Sequence, residues 1–240
     1  MNYHQSKPKG MMYAFFLLST ILFFGGCKGQ DRVSKKSDEG WVHLFNGTST
    51  SGWRAYNQTE FPENWSVENG ELRADGTKGD LIYATPFTDF KVTFDWKVEQ
   101  GGNSGFFFYV NEGEEYKEIW RTGIEMQLMD DGNNALGKNP MTSSGSVYQL
   151  YPAKGSYAKP YGEWNTSSIE MRNGKVRYWL NNNLVNEFTM WADEWYRRRE
   201  ETIHNSTRKP VYGEFKSGYF ALQDEGFPVA FRNIKYLQLQ

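Results

Sequence analysis

The sequence has little cysteine, little histidine and no excess of basic charge. A single cysteine among 240 residues excludes a disulfide bond within the chain. The three histidines are scattered at positions 4, 43 and 204, so no His or Cys spacing typical of a metal site is present, and no motif supports Ser-His-Asp catalysis. The net charge of −2 lacks the basic field that nucleic-acid binding requires, and we expect no nucleic-acid partner.

Aromatic residues and glycine are abundant instead. Phe, Trp and Tyr make up 17% of the chain, with nine Trp and fifteen Tyr, and there are 24 Gly. Aromatic rings pack well on pleated sheets and also suit stacking on the C–H faces of sugars, although the simplest interpretation of most of them is a hydrophobic core. Apolar patterns with a helical period are few, which favours strands and turns.

The first 26 residues have the pattern of a bacterial signal peptide. Lys7 and Lys9 precede an apolar run at residues 11–24, which is short for a membrane span, and two glycines lead into Cys27. This arrangement resembles a lipobox, in which the cysteine is lipidated and becomes the new N-terminus. It predicts a flexible tether over residues 27–40 and a protein of the bacterial cell envelope. The membrane contact would be through the lipid anchor only, on the periplasmic face or at the cell surface.

Strand and turn signals recur about every ten residues after position 40, without alternation of strands and helices. Residues 90–98 alternate between apolar and polar side chains, as a half-buried antiparallel strand does. Asn-Gly pairs at 69–70 and 173–174 are strong hairpin signals. Residues 146–151 predict a strand or extended segment, and residues 195–201 predict one or two helical turns with a solvated charged face. Together these signals predict a single all-β sandwich over residues 41–240.

One stretch combines a glycine turn at residues 101–105, an aromatic strand at 106–110 and an amphipathic strand at 122–130. In the last of these, Ile124, Met126 and Leu128 alternate with Glu125 and Gln127. A globular protein buries the apolar set, so the polar set points away from the core. We therefore expect Glu125 and Gln127 to line the working surface of a curved sheet.

Short motifs across this domain match one known family in the expected order. They include Gly-Asn-Ser-Gly-Phe at 102–106, Gly-Ile-Glu-Met-Gln-Leu-Met-Asp at 123–130 and Ala-Leu-Gln-Asp at 221–224, with others at 41–47, 51–53, 65–70, 89–97, 162–165, 179–181 and 231–234. The chain resembles the 3-keto-disaccharide (3-keto-glycoside) hydrolase family. The resemblance implies a concanavalin A-like jelly roll, a sandwich of two antiparallel sheets. It also implies a sugar substrate and, as a functional partner, a sugar 3-oxidoreductase that makes the ketone.

The chemistry implied by the resemblance starts from a ketone at C3 of the sugar. The ketone acidifies the C2–H bond, a base removes that proton, and the group on C1 leaves by β-elimination. Water then adds to the enone and gives the free 3-keto sugar. Such a reaction requires a base near C2, an electrophile at the C3 carbonyl oxygen and an acid for the leaving group.

The candidates for these roles are polar residues in or near the matching motifs. The catalytic candidates are Glu125 as base, Arg232 to polarise the ketone or pair with Glu125, and Glu225. The substrate-binding candidates are Asn103, Ser104, Gln127, Gln223 and Tyr148. Structural roles fit several of these as well: a cross-strand partner for Glu125, an ion pair for Arg232, a buried amide for Gln223, and ordinary turn chemistry for Asn103 and Ser104.

One divalent cation, Mg²⁺, Ca²⁺ or Mn²⁺, is a further hypothesis. Glu125 and Asp130, with Glu225 as a third ligand, would offer the hard oxygen ligands that these ions prefer, whereas Asp130 also fits a turn-capping role. Family members often have His where this chain has Glu225, and again shortly after the position of Asp130. The resemblance implies that carboxylate or amide groups replace those histidines, or that the substrate differs.

Two other functions fit the same fold. A jelly roll can be a non-catalytic carbohydrate-binding module, or it can be a conventional two-carboxylate glycoside hydrolase. The paired acidic strand motif of the glucanases is absent from this sequence. Cleavage of a 3-keto-glycoside, of the unoxidised glycoside, or of neither would separate the three hypotheses.

Overall fold

The structure is a computed structural model that describes Met1, residues 39–202 and residues 211–240. Asp38–Gln240 form one compact unit. The predicted signal peptide, the predicted lipidation site Cys27 and nearly all of the predicted tether lie outside the described residues. Within the described ranges, no helix combines the length and the apolar character that a membrane crossing needs.

Strands make up most of the regular secondary structure of the described chain. One α-helix, α1, covers Asp193–Thr202, and two short 3-10 helices cover Ile119–Arg121 and Ala135–Lys138. The strands are β1 Trp41–His43, β2 Trp53–Ala55, β3 Trp65–Glu68, β4 Glu71–Ala74, β5 Leu81–Tyr83, β6 Phe90–Val98, β7 Asn103–Val110, β8 Ile124–Met129, β9 Asn165–Arg172, β10 Lys175–Leu180, β11 Asn183–Thr189, β12 Tyr219–Leu222 and β13 Val229–Gln238.

The strands form two sheets in which neighbours are antiparallel. The eight-stranded sheet has the order β11-β10-β9-β6-β13-β4-β3, with β1 paired to β13 off this path. The five-stranded sheet has the order β2-β5-β12-β7-β8. The predicted fold class, an all-β jelly-roll sandwich of two antiparallel sheets, is confirmed.

The predicted hairpins join neighbouring strands of the eight-stranded sheet. Asn69 and Gly70 both have positive φ, at 51° and 81°, between β3 and β4. Asn173 and Gly174 repeat this geometry between β9 and β10. Two consecutive residues with positive φ suit the right-handed twist of the strands, and Asn and Gly tolerate that region best.

The main core lies between the sheets and is rich in aromatic rings. Phe94 of β6 stacks on Phe106 of β7 with ring centroids 4.2 Å apart, and Phe90 packs edge-on against Phe220 of β12 at 4.7 Å. All four rings are fully buried. The alternation of β6 predicted from sequence is confirmed, since every second residue from Phe90 to Val98 is buried.

A second, smaller apolar cluster lies on the outer face of the five-stranded sheet. Ile82, Ala221 and Phe107 come from three adjacent strands and are in register. A bulge in β7 supplies a fourth member: Tyr109 has φ of 58° and joins the main core, so that Val110 joins the outer cluster. The 3-10 helix after β7 adds Ile119, so the connection between β7 and β8 packs on this outer face.

Two local predictions differ from the structure. Residues 146–151 form turns with isolated bridges at Val147 rather than a strand. The charged stretch forms the ten-residue helix α1, longer than the one or two turns predicted, and two ion pairs four residues apart, Arg197–Glu201 and Arg198–Glu194, support it. Its charges are not all solvated, because Arg199 is buried and bonds to Glu214.

Candidate active site

A row of polar residues crosses the outer face of the five-stranded sheet. Gly105 of β7 is opposite Gln127 of β8, and the Gln223 N–H donates to the Gly105 carbonyl at 3.0 Å. Leu222 pairs with Leu81, so Asp80 lies beside Gln223 just beyond the ends of β12 and β5. Residues opposite each other in a ladder share a face of the sheet. The row is therefore Asp80, Gln223, Gly105 and Gln127. Glu125 lies on the same face, two residues before Gln127 on β8.

Gly105 has no side chain and lies between Gln223 and Gln127 in this row. Its backbone is the surface over which the neighbouring side chains meet, and we call it the floor. A Cβ at position 105 would come within 2.7 Å of Glu125 Oε1 and 3.1 Å of Gln223 Oε1. The carboxylate of Glu125 and the amide oxygen of Gln223 therefore converge over the glycine from the strands on either side of it. Glu125 is 6% exposed and Gln127 is 1% exposed, so these polar groups are largely shielded from bulk water.

The two glutamines are fixed by their amide nitrogens. Gln127 Nε2 donates to Asn103 Oδ1 at 2.5 Å and to the Ser104 carbonyl at 3.0 Å. Gln223 Nε2 donates to Glu225 Oε2 at 3.0 Å. Neither amide Oε1 accepts a hydrogen bond from the residues that the structure describes. The row thus presents oriented acceptor oxygens, which match ligands rich in hydroxyl donors.

The loop after residue 140 extends the polar surface beyond β8. The Gln127 N–H donates to the Ser146 carbonyl at 3.1 Å, and Val147 bridges Met126. Ser146 Oγ is buried and has no hydrogen-bond partner in the part of the chain that the structure describes. Tyr148, a predicted substrate-binding residue, follows this bridge directly and is half-buried.

A cavity of about 340 Å³ opens at the Asp80 end of the row. That volume lies within the range of small-molecule sites. Two aromatic rings, Tyr56 and Trp120, line it together with charged and polar groups. The lining residues are Tyr56, Lys78, Gly79, Asp80, Lys117, Glu118, Trp120, Gln223, Asp224 and Glu225. The cavity joins an aromatic surface to carboxyl and amide groups, which is the chemistry of a sugar site.

Asp80 is the titratable group that this environment perturbs most clearly. Burial raises its pKa to about 7, and the nearby carboxylates of Glu225 and Asp224 act in the same direction. The Asp224 N–H donates to Asp80 Oδ1 at 3.0 Å and opposes the shift. A carboxyl group with a pKa near neutrality inside a cavity can hold or release a proton at physiological pH.

Residues 40–236 match the family described as a 3-keto-alpha-glucoside-1,2-lyase-like domain. The chain belongs to this family. It is 32% identical over 225 residues to a 3-keto-disaccharide hydrolase of Bacteroides thetaiotaomicron, and the match covers 82% of this chain and 78% of that protein. The family resemblance predicted from the motifs is confirmed.

Solved structures agree with the family assignment. A putative glycosyl hydrolase from Parabacteroides distasonis has a TM-score of 0.78 and 33% identity, over 84% of this chain and 95% of that one. A second putative glycosyl hydrolase from the same organism has a TM-score of 0.67 and 24% identity, over 83% and 99% of the two chains, and shows the shared fold.

In this family member, most of the predicted site residues of the five-stranded sheet come together. The predicted residues that lie on or next to the polar row are Glu125, Gln127, Gln223, Glu225 and Asn103. Ser104 does not, because alternate residues of β7 face opposite sides and its neighbour on the row side is Gly105. The Ser104 side chain is fully buried and its Oγ donates to the Gln223 carbonyl at 2.8 Å. The prediction that Ser104 contacts substrate is wrong; it ties β7 to the segment after β12.

Arg232 lies on the other sheet, so the prediction that it pairs with Glu125 is wrong. It belongs to β13, and its Nε is 3.3 Å from Asp95 Oδ2 on the neighbouring strand β6. Its guanidinium carbon is 4.0 Å from the centroid of the Trp164 ring. These contacts fix Arg232 on the outer face of the eight-stranded sheet, where it cannot polarise a ketone bound over Gly105.

Asp130 has the turn-capping role that was the alternative to metal binding. Its Oδ2 accepts hydrogen bonds from the Gly101 N–H and the Asn133 amide, both at 2.8 Å, and its Oδ1 accepts from the Gly132 N–H at 3.2 Å. Burial alone would raise the pKa of Asp130, but these donors outweigh it and hold the pKa below its usual range. Its oxygens are already occupied by donors of the protein.

The predicted divalent cation therefore lacks its ligand set. Among the described residues, no group of three or more His, Cys, Asp or Glu side chains is arranged to hold a metal ion. Asp130 binds its own turn, and Glu225 accepts a hydrogen bond from Gln223. The residues proposed as ligands do not fit a metal, and no step of the mechanism below passes through one.

Sequence reasoning missed Asp80 and Trp120. Asp80 precedes a strand of only three residues, and its position two before the apolar Ile82 was the available signal for the polar end of the same face. Trp120 lies in a connection between strands and carried no periodic signal. Both reach the site because of how distant segments pack, which local patterns do not record.

Proposed function

We propose that this protein cleaves 3-keto-glycosides over the Gly105 floor of the five-stranded sheet. Membership of the family supports the substrate class, as does the 32% identity to a protein named a 3-keto-disaccharide hydrolase. The observation that carries the proposal is the convergence of Glu125 and Gln223 over Gly105. It combines a carboxylate with hydrogen-bond acceptors in a shielded site beside an aromatic ring.

Glu125 is the base that removes the C2 proton. Its carboxylate lies over the floor, and only 6% of the residue is exposed. Loss of the C2 proton and departure of the C1 group give an enone, and addition of water completes a net hydrolysis.

Gln127 and Gln223 position the sugar. Their Nε2 groups are held by Asn103 and Glu225, so each amide oxygen points in a fixed direction. Each oxygen can accept a hydrogen bond from a sugar hydroxyl, and orientation of this kind supplies a large part of enzymatic rate enhancement. The Trp120 ring in the cavity provides a face against which a sugar ring can pack.

The proposal includes a partner enzyme and a location in the cell. A substrate with a ketone at C3 requires a sugar 3-oxidoreductase that acts earlier in the same sequence. The signal pattern before Cys27 supports lipidation of that residue and anchoring in the bacterial cell envelope. Labelling with a radioactive fatty acid of wild-type protein and of the Cys27→Ser variant, expressed in a bacterium, would test the anchor.

The test of function compares two chromogenic substrates that differ only at C3. Wild-type protein should release nitrophenol from the 3-keto-glucoside and not from the unoxidised glucoside. Glu125→Gln should reduce kcat/KM on the keto substrate at least about 100-fold, because an amide cannot accept the C2 proton. The matched control is Glu187→Gln, an exposed carboxylate on the other sheet, which should retain full activity.

Three results would count against the proposal. Cleavage of the unoxidised glucoside would indicate a conventional glycoside hydrolase. Sugar binding without cleavage of either compound would indicate a carbohydrate-binding module. Undiminished cleavage by the Glu125→Gln variant would remove Glu125 as the base while leaving the substrate class in place.

A further inference from the structure

The Gly105 floor has carboxyl groups on both sides. Glu125 leans over the glycine from β8. Asp80 lies on the opposite side, at the start of β5, with β12 between it and β7. Neighbouring strands are about 4.8 Å apart, so Asp80 and Gly105 are separated by about 10 Å at the level of the backbone. A sugar ring on the floor would therefore have one carboxyl group on each side.

Asp80 has one oxygen committed to the fold and one available. Its Oδ1 accepts the Asp224 N–H at 3.0 Å. Its Oδ2 accepts no hydrogen bond from residues 39–202 or 211–240, and Asp80 lines the 340 Å³ cavity. The single anchoring contact orients the carboxyl group without neutralising it, because among the described residues no Lys or Arg forms an ion pair with it.

The Asp224 side chain explains why Asp80 keeps this position. Asp224 Oδ2 accepts hydrogen bonds from the Asn64 amide and from the Lys78 N–H, both at 3.0 Å, and its Oδ1 accepts from the Gly226 N–H at 3.0 Å. These contacts fix the segment after β12 against the segment before β5. The Leu-Gln-Asp motif thus holds Gln223 and Asp80 side by side through Asp224, which is structural.

We propose that Asp80 is the acid that protonates the leaving-group oxygen, on the opposite side of the Gly105 floor from Glu125. This inference rests on the function proposed above and adds a second catalytic residue to it. The step needs no redox partner, because removal of the C2 proton, breaking of the C1–O bond and protonation of the leaving oxygen change no overall oxidation state. The charged and titratable groups around Asp80 come from four segments of the chain and are Tyr56, Lys78, Lys117, Glu118, Asp224 and Glu225.

The electron pair of the C2–H bond forms the C1=C2 double bond as the proton passes to Glu125, and the C1–O bond breaks towards the leaving oxygen. That oxygen takes the proton of Asp80 and departs as an alcohol. In the second half, Asp80 as carboxylate takes a proton from the water that adds to C1, and Glu125 returns its proton to C2. Both residues end in their starting states. The pKa near 7 supports this assignment, since the group is protonated in a useful fraction of molecules.

The experiment varies the leaving group. An acid that assists departure matters greatly for a poor leaving group and little for nitrophenolate, which departs without protonation. The Asp80→Asn variant should lose about 100-fold or more in kcat/KM on methyl 3-keto-glucoside. On the nitrophenyl 3-keto-glucoside the same variant should lose less than about tenfold. Activity on the nitrophenyl compound also reports that the variant is folded, and the Asn side chain retains an oxygen for the Asp224 N–H.

The matched control is Asp75→Asn, because Asp75 is an exposed aspartate of the preceding turn whose carboxylate accepts hydrogen bonds from the N–H and the hydroxyl of Thr77. It should retain activity on both substrates. Equal losses on the two substrates, or no loss, in folded Asp80→Asn would overturn the assignment. Should that variant not fold, Asp80→Ser retains an oxygen acceptor and is measured in the same way. If wild-type protein releases neither aglycone, the proposed function is wrong. If wild-type protein is active but Asp80→Asn loses equally on the methyl and nitrophenyl substrates, only the role of Asp80 is wrong.

Discussion

The outer faces of the two sheets use the same alternation of side chains for opposite purposes. On the eight-stranded sheet, acids and bases from adjacent strands neutralise one another: Glu170 lies 3.4 Å from Lys91 and 3.3 Å from Arg177, and Arg232 lies 3.3 Å from Asp95. On the five-stranded sheet, the central groups are carboxyls and amides gathered around a glycine. A polar face of a strand is therefore not informative by itself; the residues that neighbouring strands bring to it decide its use.

The difference has an energetic side. Ion pairs on an exposed sheet face contribute about 0–1 kcal/mol each and mainly maintain solubility. A half-buried carboxyl group beside other carboxyl groups, such as Asp80, destabilises the folded state whenever it is ionised. Proteins tolerate such groups where chemistry needs them. Three substitutions, Gly105→Ala, Asp80→Asn and Arg232→Gln, test whether the two faces differ in this way.

The largest effect is expected for Gly105→Ala. The new Cβ would come within 2.7 Å of both Glu125 Oε1 and a ring carbon of Phe107, so the base must move away from the floor. Displacement of a catalytic group by about 1 Å can cost about 100-fold in rate, and overpacking costs about 1–3 kcal/mol of stability. We expect a loss of kcat/KM on the 3-keto substrate of at least about 100-fold in a folded protein, measured together with urea unfolding.

Gly132→Ala is the matched control for that change. Gly132 also has an ordinary φ, and its Cβ would meet only Asp130 Oδ1, at 3.3 Å. We expect full activity and a change in unfolding free energy of less than about 1 kcal/mol. Equal activities of the two alanine variants would show that the floor does not position Glu125.

An intermediate effect is expected for the pH dependence of stability. The pKa of Asp80 is about 7 in the folded protein and about 4 when unfolded. Between these values the folded state binds more protons than the unfolded state, so stability falls as pH rises from about 4 to about 7 and is level above that. The full shift corresponds to at most about 4 kcal/mol, less where water screens the carboxyl group.

Asp80→Asn should remove this contribution. We expect the variant to gain stability over wild type between pH 5 and pH 8, since Asn does not ionise. Urea unfolding of both proteins at several pH values measures the difference directly. Parallel curves for the two proteins would mean that Asp80 titrates normally and that the two sheet faces differ less than we infer.

The smallest effect is expected for Arg232→Gln. The side chain is 39% exposed, and Asp95 keeps hydrogen bonds from Thr166 and Asn233 when the guanidinium is lost. The unfolding free energy should fall by less than about 1 kcal/mol, and kcat/KM should stay within about twofold of wild type. A loss of more than tenfold in kcat/KM with unchanged stability would restore the catalytic role that the sequence predicted for Arg232.

Local sequence patterns predict most of the strands, the Asn-Gly hairpins and the face on which Glu125 and Gln127 lie. These follow from local rules: side chains alternate with period two, and two successive positive φ angles require residues such as Asn and Gly. The same local rules placed Arg232 and Gln223 on polar faces equally well. They could not say that the two residues belong to different sheets.

Which strands are neighbours follows from the packing of the whole domain and not from any local pattern. Asp80 and Gln223 are 143 positions apart and become adjacent because β5 pairs with β12. Glu125 and Gln223 meet because β7 lies between their strands and contributes a glycine at the crossing point. Pairing between distant strands depends on the packing of the whole core, since loop closure and burial are shared among all strands, and no short segment contains that information.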